Sequence, residues 1–111
     1  MDTGKYVVLT TVNREEDAER LANGLLERRL VACVNVIPKV VSYYWWEGKI
    51  QADGEFLLVL KTGGECLEEL KSVIPELHPY EVPELIALPI ADGATPYLDW
   101  ISPETARKDR T

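Results

Sequence analysis

Apolar residues along the chain alternate between short continuous runs and stripes that repeat every three or four residues. The first run, Lys5–Val12, is rich in β-branched residues and predicts a central strand that is covered on both faces. An amphipathic helix is predicted next, over about 14–29, because alanine and leucine recur there at helical spacing. Asn13 and Glu16 have the spacing of a capping box at the start of this helix.

The middle of the chain predicts a long β-hairpin from Cys33 to Thr62. Its two strands are joined by a tight turn at Glu47–Lys49. Pro38 falls inside the first strand, where a residue without an N–H group cannot donate to the ladder of hydrogen bonds. It therefore marks a bulge or an edge position.

The last third of the chain returns to a helix followed by a strand. Apolar residues at helical spacing predict a second helix over 63–77, which Pro75 should kink or end. A fourth strand is predicted over 83–91. A short helix over Thr95–Ile101 begins with a capping threonine and a proline at its first position.

The predicted order is strand, helix, strand, strand, helix, strand, in a single domain over residues 1–111. Right-handed crossovers then give a ferredoxin-like α+β fold (split βαβ), a four-stranded antiparallel sheet with two helices on one face. Residues 1–4 and about 103–111 are expected to be frayed. The second face of the sheet carries apolar side chains without a covering helix, and the hairpin projects beyond the sheet. Both features predict association with other copies of the chain.

Composition and charge exclude several classes of protein. The net charge of −7 repels phosphate backbones, so nucleic acid is not expected as a partner. The apolar runs are shorter than the roughly 18 residues that a membrane span needs, and the N-terminal stretch lacks the features of a secretory signal. A cytoplasmic protein without a membrane partner is the expectation. Cys33 and Cys66 lie far apart in sequence, which favours free thiols over a single bridge.

The stretch LHPYEVPE (77–84) contains the only histidine, His78, followed by two prolines. Two interpretations stay open. The prolines bias the residues before them towards extended angles, so the segment can be a structural corner in which His78 ends the second helix. Alternatively, the corner presents His78, Tyr80 and Glu81 to a ligand, and an imidazole nitrogen is a common ligand of copper. One histidine supplies one nitrogen, so carboxylates or a neighbouring copy would have to complete such a site.

Four aromatic residues stand together at one end of the hairpin. Tyr43 and Trp45 alternate with Tyr44 and Trp46, so the two pairs face opposite sides of the strand. Packing of one pair against a neighbouring copy is favoured over stacking on a small molecule or a base.

Lys61 lies at the end of the third predicted strand, just before two glycines and a helix start. It can meet an anion there or pair with a glutamate. With the aromatic residues and the proline-rich corner it contributes to a candidate cleft between copies of the chain. The candidate cleft residues are Tyr44, Trp46, Lys61, Tyr80 and Glu81.

Four stretches of the sequence, taken in order, resemble the CutA divalent-cation tolerance family. They are ERRLVACVNVIP, YYWWEGKIQADGEFLLVLKT, LHPYEVPELIALPI and YLDW, and they lie within 8–100. No single stretch is specific, whereas the ordered set is. The resemblance implies a ferredoxin-like fold, a tight homotrimer in the cytoplasm, and an association with copper and other divalent cations. It implies no catalysed reaction.

The resemblance also implies a copper ligand. The histidine of the HPY motif, here His78, is among the ligands proposed for the family. Some members carry a cysteine in the first strand where this chain has Thr10 or Thr11, so a complete copper site is not carried over. Cys33 matches the cysteine of the ACVN motif, at a position expected to be buried.

The favoured function is a non-enzymatic homotrimer linked to divalent-cation tolerance, which binds copper weakly through His78 with help from carboxylates. The runner-up is a signalling or small-molecule sensor of PII-like architecture, whose ligand binds in clefts between subunits. That comparison rests on the fold alone. A structural trimer or adaptor comes third. An enzyme comes last, because no nucleophile–histidine or paired-carboxylate motif is recognisable.

Overall fold

A computed structural model describes residues 2–105 of the 111-residue chain. Four strands and three helices follow one another in the predicted order. A short 3-10 turn over Gly64–Cys66 leads into the second helix. The elements are β1 (Lys5–Val12), α1 (Glu15–Glu27), β2 (Cys33–Trp46), β3 (Lys49–Gly63), α2 (Leu67–Leu77), β4 (Ile86–Pro89) and α3 (Thr95–Thr105).

The four strands form one antiparallel sheet in the order β2-β3-β1-β4. β1 and β3 are the two inner strands, and each sequential strand–helix–strand unit skips over a neighbour, as in the split βαβ arrangement. The ferredoxin-like fold predicted from the sequence is confirmed. The apolar character of β1 follows from this central position, because both of its edges are paired and one of its faces lies against the helices.

The core lies between one face of the sheet and the two helices α1 and α2. Val8 and Val12 of β1 are fully buried on this face, opposite Leu60 and Phe56 of β3. The helices complete it with the apolar stripes that the sequence predicts. Their buried members are Ala18, Leu21 and Leu25 of α1, and Leu70 and Ile74 of α2.

The opposite face of the sheet carries no α1 or α2 and remains apolar. Leu9 of β1 pairs with Val59 of β3 on one side and with Ile86 of β4 on the other, so these side chains share this face. Along it Ile37, Ile86 and Leu88 are 44%, 48% and 46% exposed. We call this surface the helix-free face. The uncovered apolar face predicted from the sequence is therefore present in the single chain.

The hairpin of β2 and β3 extends well beyond the rest of the sheet. β3 pairs with β1 only over Phe56–Gly63, whereas Lys49–Glu55 pairs with β2 alone among the described strands. Between Ile37 and Val40 the register shifts by one residue, which confirms the bulge expected at Pro38.

The hairpin closes at Glu47 and Gly48, whose φ angles are 51° and 79°. Two central residues with positive φ form a type I′ turn, whose twist matches the right-handed twist of the strands. The tight turn expected at this point is thus confirmed.

The start of α1 differs from the prediction. The helix begins at Glu15 after Arg14, and no side chain caps its first N–H groups, so the expected capping box of Asn13 and Glu16 is wrong. The first turn is acidic instead, and carboxylates favour the positive end of the helix dipole. Asp17 is buried there and pairs with Arg20 at 3.0 Å.

Two other element boundaries also shift. α2 begins at Leu67, four residues after the predicted start, because a 3-10 turn precedes it, and it ends at Leu77 as predicted, with Pro75 inside its last turn. β4 is shorter than the predicted strand and covers only Ile86–Pro89. Residues 83–85 belong instead to the corner that follows α2, where Pro83 has no N–H group to donate to a ladder.

The predicted frayed ends are ordered where the structure describes them. Thr3 Oγ1 donates to the Ile90 carbonyl over 2.6 Å, which holds the N-terminal segment beside β4. α3 continues past Ile101 as far as Thr105, whose hydroxyl donates to the Ile101 carbonyl and is fully buried. The fraying expected from about residue 103 is therefore wrong for residues 103–105, and residues 106–111 lie outside the described part of the chain.

Near its end, α3 is fastened to the loop after α1. Arg29 pairs with Glu104 at 3.1 Å.

Within residues 2–105 none of the helices combines the length and the apolar character that crossing a bilayer requires.

The core makes a direct prediction about stability. Leu58 is fully buried, so Leu58→Ala should lower the free energy of unfolding by about 2–5 kcal/mol through lost burial and a residual cavity. Leu26→Ala is the matched control, because Leu26 is 37% exposed on α1 and should cost much less. Urea denaturation followed by circular dichroism measures both, and equal losses would contradict the assigned core.

Candidate functional site

A groove of about 590 Å³ opens where β1 ends and the hairpin continues beyond it. Its walls come from three places: the end of β1, the hairpin strands, and the corner between α2 and β4. The groove is therefore assembled from parts of the chain that are far apart in sequence. Its lining residues are Thr11, Asn13, Ser42, Tyr43, Tyr44, Trp46, Asp53, Glu55, Tyr80, Glu81, Val82 and Glu84.

The proline-rich segment acts as a structural corner, one of the two interpretations left open by the sequence. His78 caps α2 with φ −87° and ψ 138°, an extended conformation. Pro79 favours those angles in the residue before it, so the chain leaves the helix abruptly. The backbone N–H of His78 still donates to the Ile74 carbonyl over 2.9 Å, which closes the last turn. Tyr80 is thereby directed back towards the hairpin.

His78 is buried, and both of its ring nitrogens are engaged inside the protein. Nδ1 accepts a hydrogen bond of 3.1 Å from the backbone N–H of Tyr80. Nδ1 is therefore unprotonated, so Nε2 carries the proton and donates to Thr10 Oγ1 over 3.1 Å. The Tyr80 ring packs edge-on against the imidazole, with 4.9 Å between ring centroids. These contacts fix the orientation of the corner on β1.

This arrangement does not fit His78 to a metal ion. A nitrogen that accepts an N–H and a nitrogen that donates to a hydroxyl have no lone pair left for copper. Among the described residues, no three His, Cys, Asp or Glu side chains come together as a metal-binding group. Burial also lowers the pKa of His78, which favours the neutral hydrogen-bonded ring.

Two tyrosine–carboxylate pairs stand side by side in the groove. The Tyr80 hydroxyl donates to Glu55 Oε2 over 2.5 Å, and the Tyr44 hydroxyl donates to Asp53 Oδ2. Burial, together with the bond to Glu55, raises the pKa of Tyr80 far above its ordinary value. The bond to Asp53 raises the pKa of Tyr44. Both phenols therefore stay neutral and act as donors to the carboxylates.

The groove is strongly negative. Four carboxylates line it and no lysine, arginine or histidine of the described chain does. Burial, together with the charge of Glu55, raises the pKa of Glu84. An arrangement of this kind attracts cations and repels anions.

Of the five predicted cleft residues, four line this groove. They are Tyr44 and Trp46 from the hairpin, and Tyr80 and Glu81 from the corner. The alternation predicted for the aromatic cluster is present, because Tyr44 and Trp46 are about 40% exposed while Tyr43 and Trp45 are above 70%.

Lys61 lies elsewhere. It pairs with Val7 of β1 and Cys33 of β2, far along β3 from the groove. Its ammonium donates to Asn35 Oδ1 and lies 3.9 Å from Cys33 Sγ. Lys61 is thus held by side chains of β2 and does not line this groove, and its place in a cleft between copies stays a prediction. Cys33 is half-buried and Cys66 is buried, both as free thiols.

Sequence reasoning missed two carboxylates of the groove, Asp53 and Glu55, whereas Glu81 and Glu84 belong to the proline-rich stretch that it singled out. Glu55 stands directly before the apolar run FLLVL, where a charged residue is easily taken for the end of a strand. Its period-two relation to Asp53 was the available signal, because it places both carboxylates on one side of β3.

The fold and the groove together define a ferredoxin-like α+β protein with a projecting hairpin and an acidic, aromatic groove at its base. The family described as "CutA1 divalent ion tolerance protein" matches residues 6–104 of the chain. The chain belongs to this family, as the resemblance predicted.

Relatives from distant organisms support the assignment. The "Divalent-cation tolerance protein CutA" of Thermus thermophilus is 48% identical over 99 residues, which cover 89% of this chain and 96% of that protein. The solved structure of the Thermus thermophilus divalent cation tolerance protein superposes with a TM-score of 0.89 at 47% identity, covering 92% of this chain and 99% of that one. "Protein CutA 1, chloroplastic" of Oryza sativa is 46% identical over 99 residues and 89% of this chain, which spans only 56% of the rice protein.

The expected cytoplasmic location is contradicted by these comparisons. The rice relative is named chloroplastic. The solved Archaeoglobus fulgidus relative is described as the "Periplasmic divalent cation tolerance protein CutA"; it has a TM-score of 0.88 and 39% identity, over 92% of this chain and 99% of that one. A compartment is set by targeting segments and not by the folded domain, so the pattern that predicts the fold does not predict a location.

The buried imidazole predicts a pH dependence of stability. Its pKa in the folded protein lies below the ordinary 6.5, so the unfolded chain binds the proton more tightly. The contribution of the neutral imidazole to the free energy of unfolding is fully present above about pH 6.5. It is lost as the pH falls through the lowered pKa. His78→Gln keeps an amide donor and acceptor but cannot titrate in this range. Urea denaturation between about pH 5 and pH 8 should show a smaller loss of stability for the variant than for wild type, and parallel curves would contradict the assignment.

The two hydrogen bonds of the His78 ring also predict that this residue does not contribute to copper binding. Titration of the protein with Cu(II), followed by calorimetry, should give the same affinity for wild type and for His78→Gln, since neither ring nitrogen is free to bind the ion. Circular dichroism confirms that the variant is folded. A loss of Cu(II) binding of about tenfold or more in a folded variant would show that the ring turns out of its bonds to bind the metal.

Proposed function

We propose that this protein acts in divalent-cation tolerance as a non-enzymatic homotrimer, and that its groove is the place where a ligand binds. The observation that carries the proposal is the half-exposed apolar surface of the helix-free face. The names of the relatives describe tolerance proteins and not a reaction, which supports a role other than catalysis. The number of three copies comes from the family resemblance.

The helix-free face supports self-association on physical grounds. Ile37, Ile86 and Leu88 stand on two strands of one continuous surface and are each almost half exposed. Contiguous apolar patches of this kind on a soluble domain usually mark an interface. Another copy of the same chain offers a surface of matching character, and closed symmetry then limits the size of the assembly.

The groove adjoins this surface. β3 contains no bulge, so Asp53 and Glu55 point to the same side of the strand as Leu57, which belongs to the helix-free face. A neighbour that packs on the helix-free face would therefore approach the groove as well. This supports the prediction of a ligand cleft between copies, with the projecting hairpin as one wall.

Copper or another divalent cation stays a proposed ligand, but not through His78. A divalent ion bound by carboxylates of the groove would require further ligands from a neighbouring copy or from water. The negative potential of the groove supports cation binding of this weak kind.

A second candidate function is a small-molecule sensor. The observation that favours it is the character of the groove, which combines aromatic faces with hydrogen-bonding side chains in about 590 Å³. Organic ligands typically occupy pockets of roughly 300–1,000 Å³ that mix apolar walls with a few polar groups. A melting temperature that rises with the concentration of a metabolite would identify such a ligand.

Self-association is tested by placing a charge on the helix-free face. Wild type should sediment at three times the 12.5 kDa mass of the chain. Ile86→Glu should dissociate the assembly, because an unpaired buried carboxylate costs about 3 kcal/mol or more, a factor of at least about a hundred in association. Leu26→Glu, on the helical side, is the control and should leave the assembly intact. A wild-type protein that sediments as a single folded subunit would refute the proposal.

A further inference from the structure

Glu55 is a buried carboxylate whose charge is not balanced by any lysine or arginine of residues 2–105. It is only 7% exposed, and none of the ion pairs in the described part of the chain includes it. Oε2 accepts the hydrogen bond from Tyr80, while Oε1 has no hydrogen-bond partner among the described residues. A carboxylate taken out of water with one hydrogen bond retains much of its desolvation cost. A cation that enters the groove would offset this cost.

The residues around Glu55 add to the negative potential that favours a cation. Asp53, Glu81 and Glu84 line the same groove, and no basic residue of the described chain does. Field lines in a concave site of one sign are focused by its walls, which raises the local concentration of the opposite charge. The lining of this groove therefore favours positive charge in a ligand.

The aromatic wall indicates what kind of cation fits. Tyr44, Trp46 and Tyr80 line the groove together with the carboxylates. Tyr44 and Tyr80 donate their hydroxyls to carboxylates, which increases the electron density of their rings. Electron-rich rings attract cations to their faces and pack against the carbon atoms beside the charge. A hydrated metal ion gains little from such contacts, whereas an alkylammonium ion gains from both.

Size and ligand geometry point in the same direction. The groove volume of about 590 Å³ is that of a small organic molecule and far exceeds that of a single ion. The carboxylates of the described residues do not converge as the three or more ligands that a tight metal site requires. Asp53 and Glu55 belong to β3 and Glu84 to the corner after α2, so separate charges of one ligand can meet carboxylates of different elements.

We infer that the groove binds an organic ammonium ion with several carbon atoms, such as a linear diamine, with one nitrogen at Glu55 and the carbon chain against Tyr44 and Trp46. This inference rests on the second candidate function, in which the groove holds a small ligand. The ammonium group donates to the carboxylate oxygen of Glu55 that lacks a partner among the described residues. The second ammonium group of a diamine lies within the field of Asp53 or Glu84.

The test uses isothermal titration calorimetry of the full chain at constant ionic strength. The probes are 1,4-diaminobutane, the neutral 1,4-butanediol of equal length, Mg²⁺ of equal charge, and the anion glutarate. The diamine should bind saturably, Mg²⁺ should bind more weakly than the diamine, and the diol and glutarate should not bind. Glu55→Gln should weaken diamine binding by about tenfold or more, since a charge-assisted contact to a buried group is lost. Glu27→Gln removes an equal charge from the exposed end of α1 and should change nothing.

Further variants keep the test decisive. Asp53 lies on the exposed hairpin, so Asp53→Asn tests the role of the groove carboxylates if Glu55→Gln does not fold. Trp46→Leu removes the aromatic face and should also weaken the binding of the diamine.

Absence of diamine binding, equal binding by Mg²⁺, or equal affinity of Glu55→Gln for the diamine would overturn the inference. Binding of glutarate or the diol alone would overturn the ligand class and leave the groove as a ligand site. A thermal-shift screen of metabolites and metals that raises no melting temperature would refute the sensor function itself.

Discussion

The antiparallel pairing of β1 with β3 governs both the shape of the molecule and the position of its groove. β1 has eight residues and β3 has fifteen, so the two strands can pair only over part of the longer one. The unmatched half of β3 must leave the sheet with β2 as its partner, and it forms the projecting hairpin. The same mismatch opens the groove, because the end of β1 leaves a gap that the corner after α2 covers only from one side. Shape and site thus have a common origin in strand length.

In the corner after α2, His78 has a structural role at a position where a metal ligand is one of two expectations. His78 is the only histidine in the chain, and its position beside tyrosine and glutamate is typical of a metal site. In the folded chain its ring bridges β1 and the backbone of the corner, so its two nitrogens hold Tyr80 in place. Tyr80 in turn satisfies one oxygen of Glu55. The histidine therefore orients the groove without lining it, and the chemistry of the groove belongs to phenols and carboxylates.

Membership of the CutA1 family and the one-sided sheet support each other. A sheet with two helices on one face leaves the other face for a partner, and the solved relatives from a bacterium and an archaeon share the fold closely. Association of copies would place the groove next to a neighbouring subunit, so ligand binding and assembly would be coupled by geometry. A negatively charged groove bordered by aromatic rings is compatible with cations of more than one kind, and Glu55 is its most buried carboxylate.

Local sequence patterns were sufficient to predict the order of elements, the ferredoxin-like topology, the bulge at Pro38 and the apolar character of the helix-free face. These features follow from periodicity and from the backbone chemistry of proline, which act over a few residues. The same patterns misplaced the cap of α1 and the end of α3, and they did not reveal Glu55. Only the folded chain brings Thr10 to His78 across 68 positions and Tyr80 to Glu55 across 25. Hydrogen bonds between distant side chains depend on where strands end and how a corner turns, and no local pattern encodes those distances.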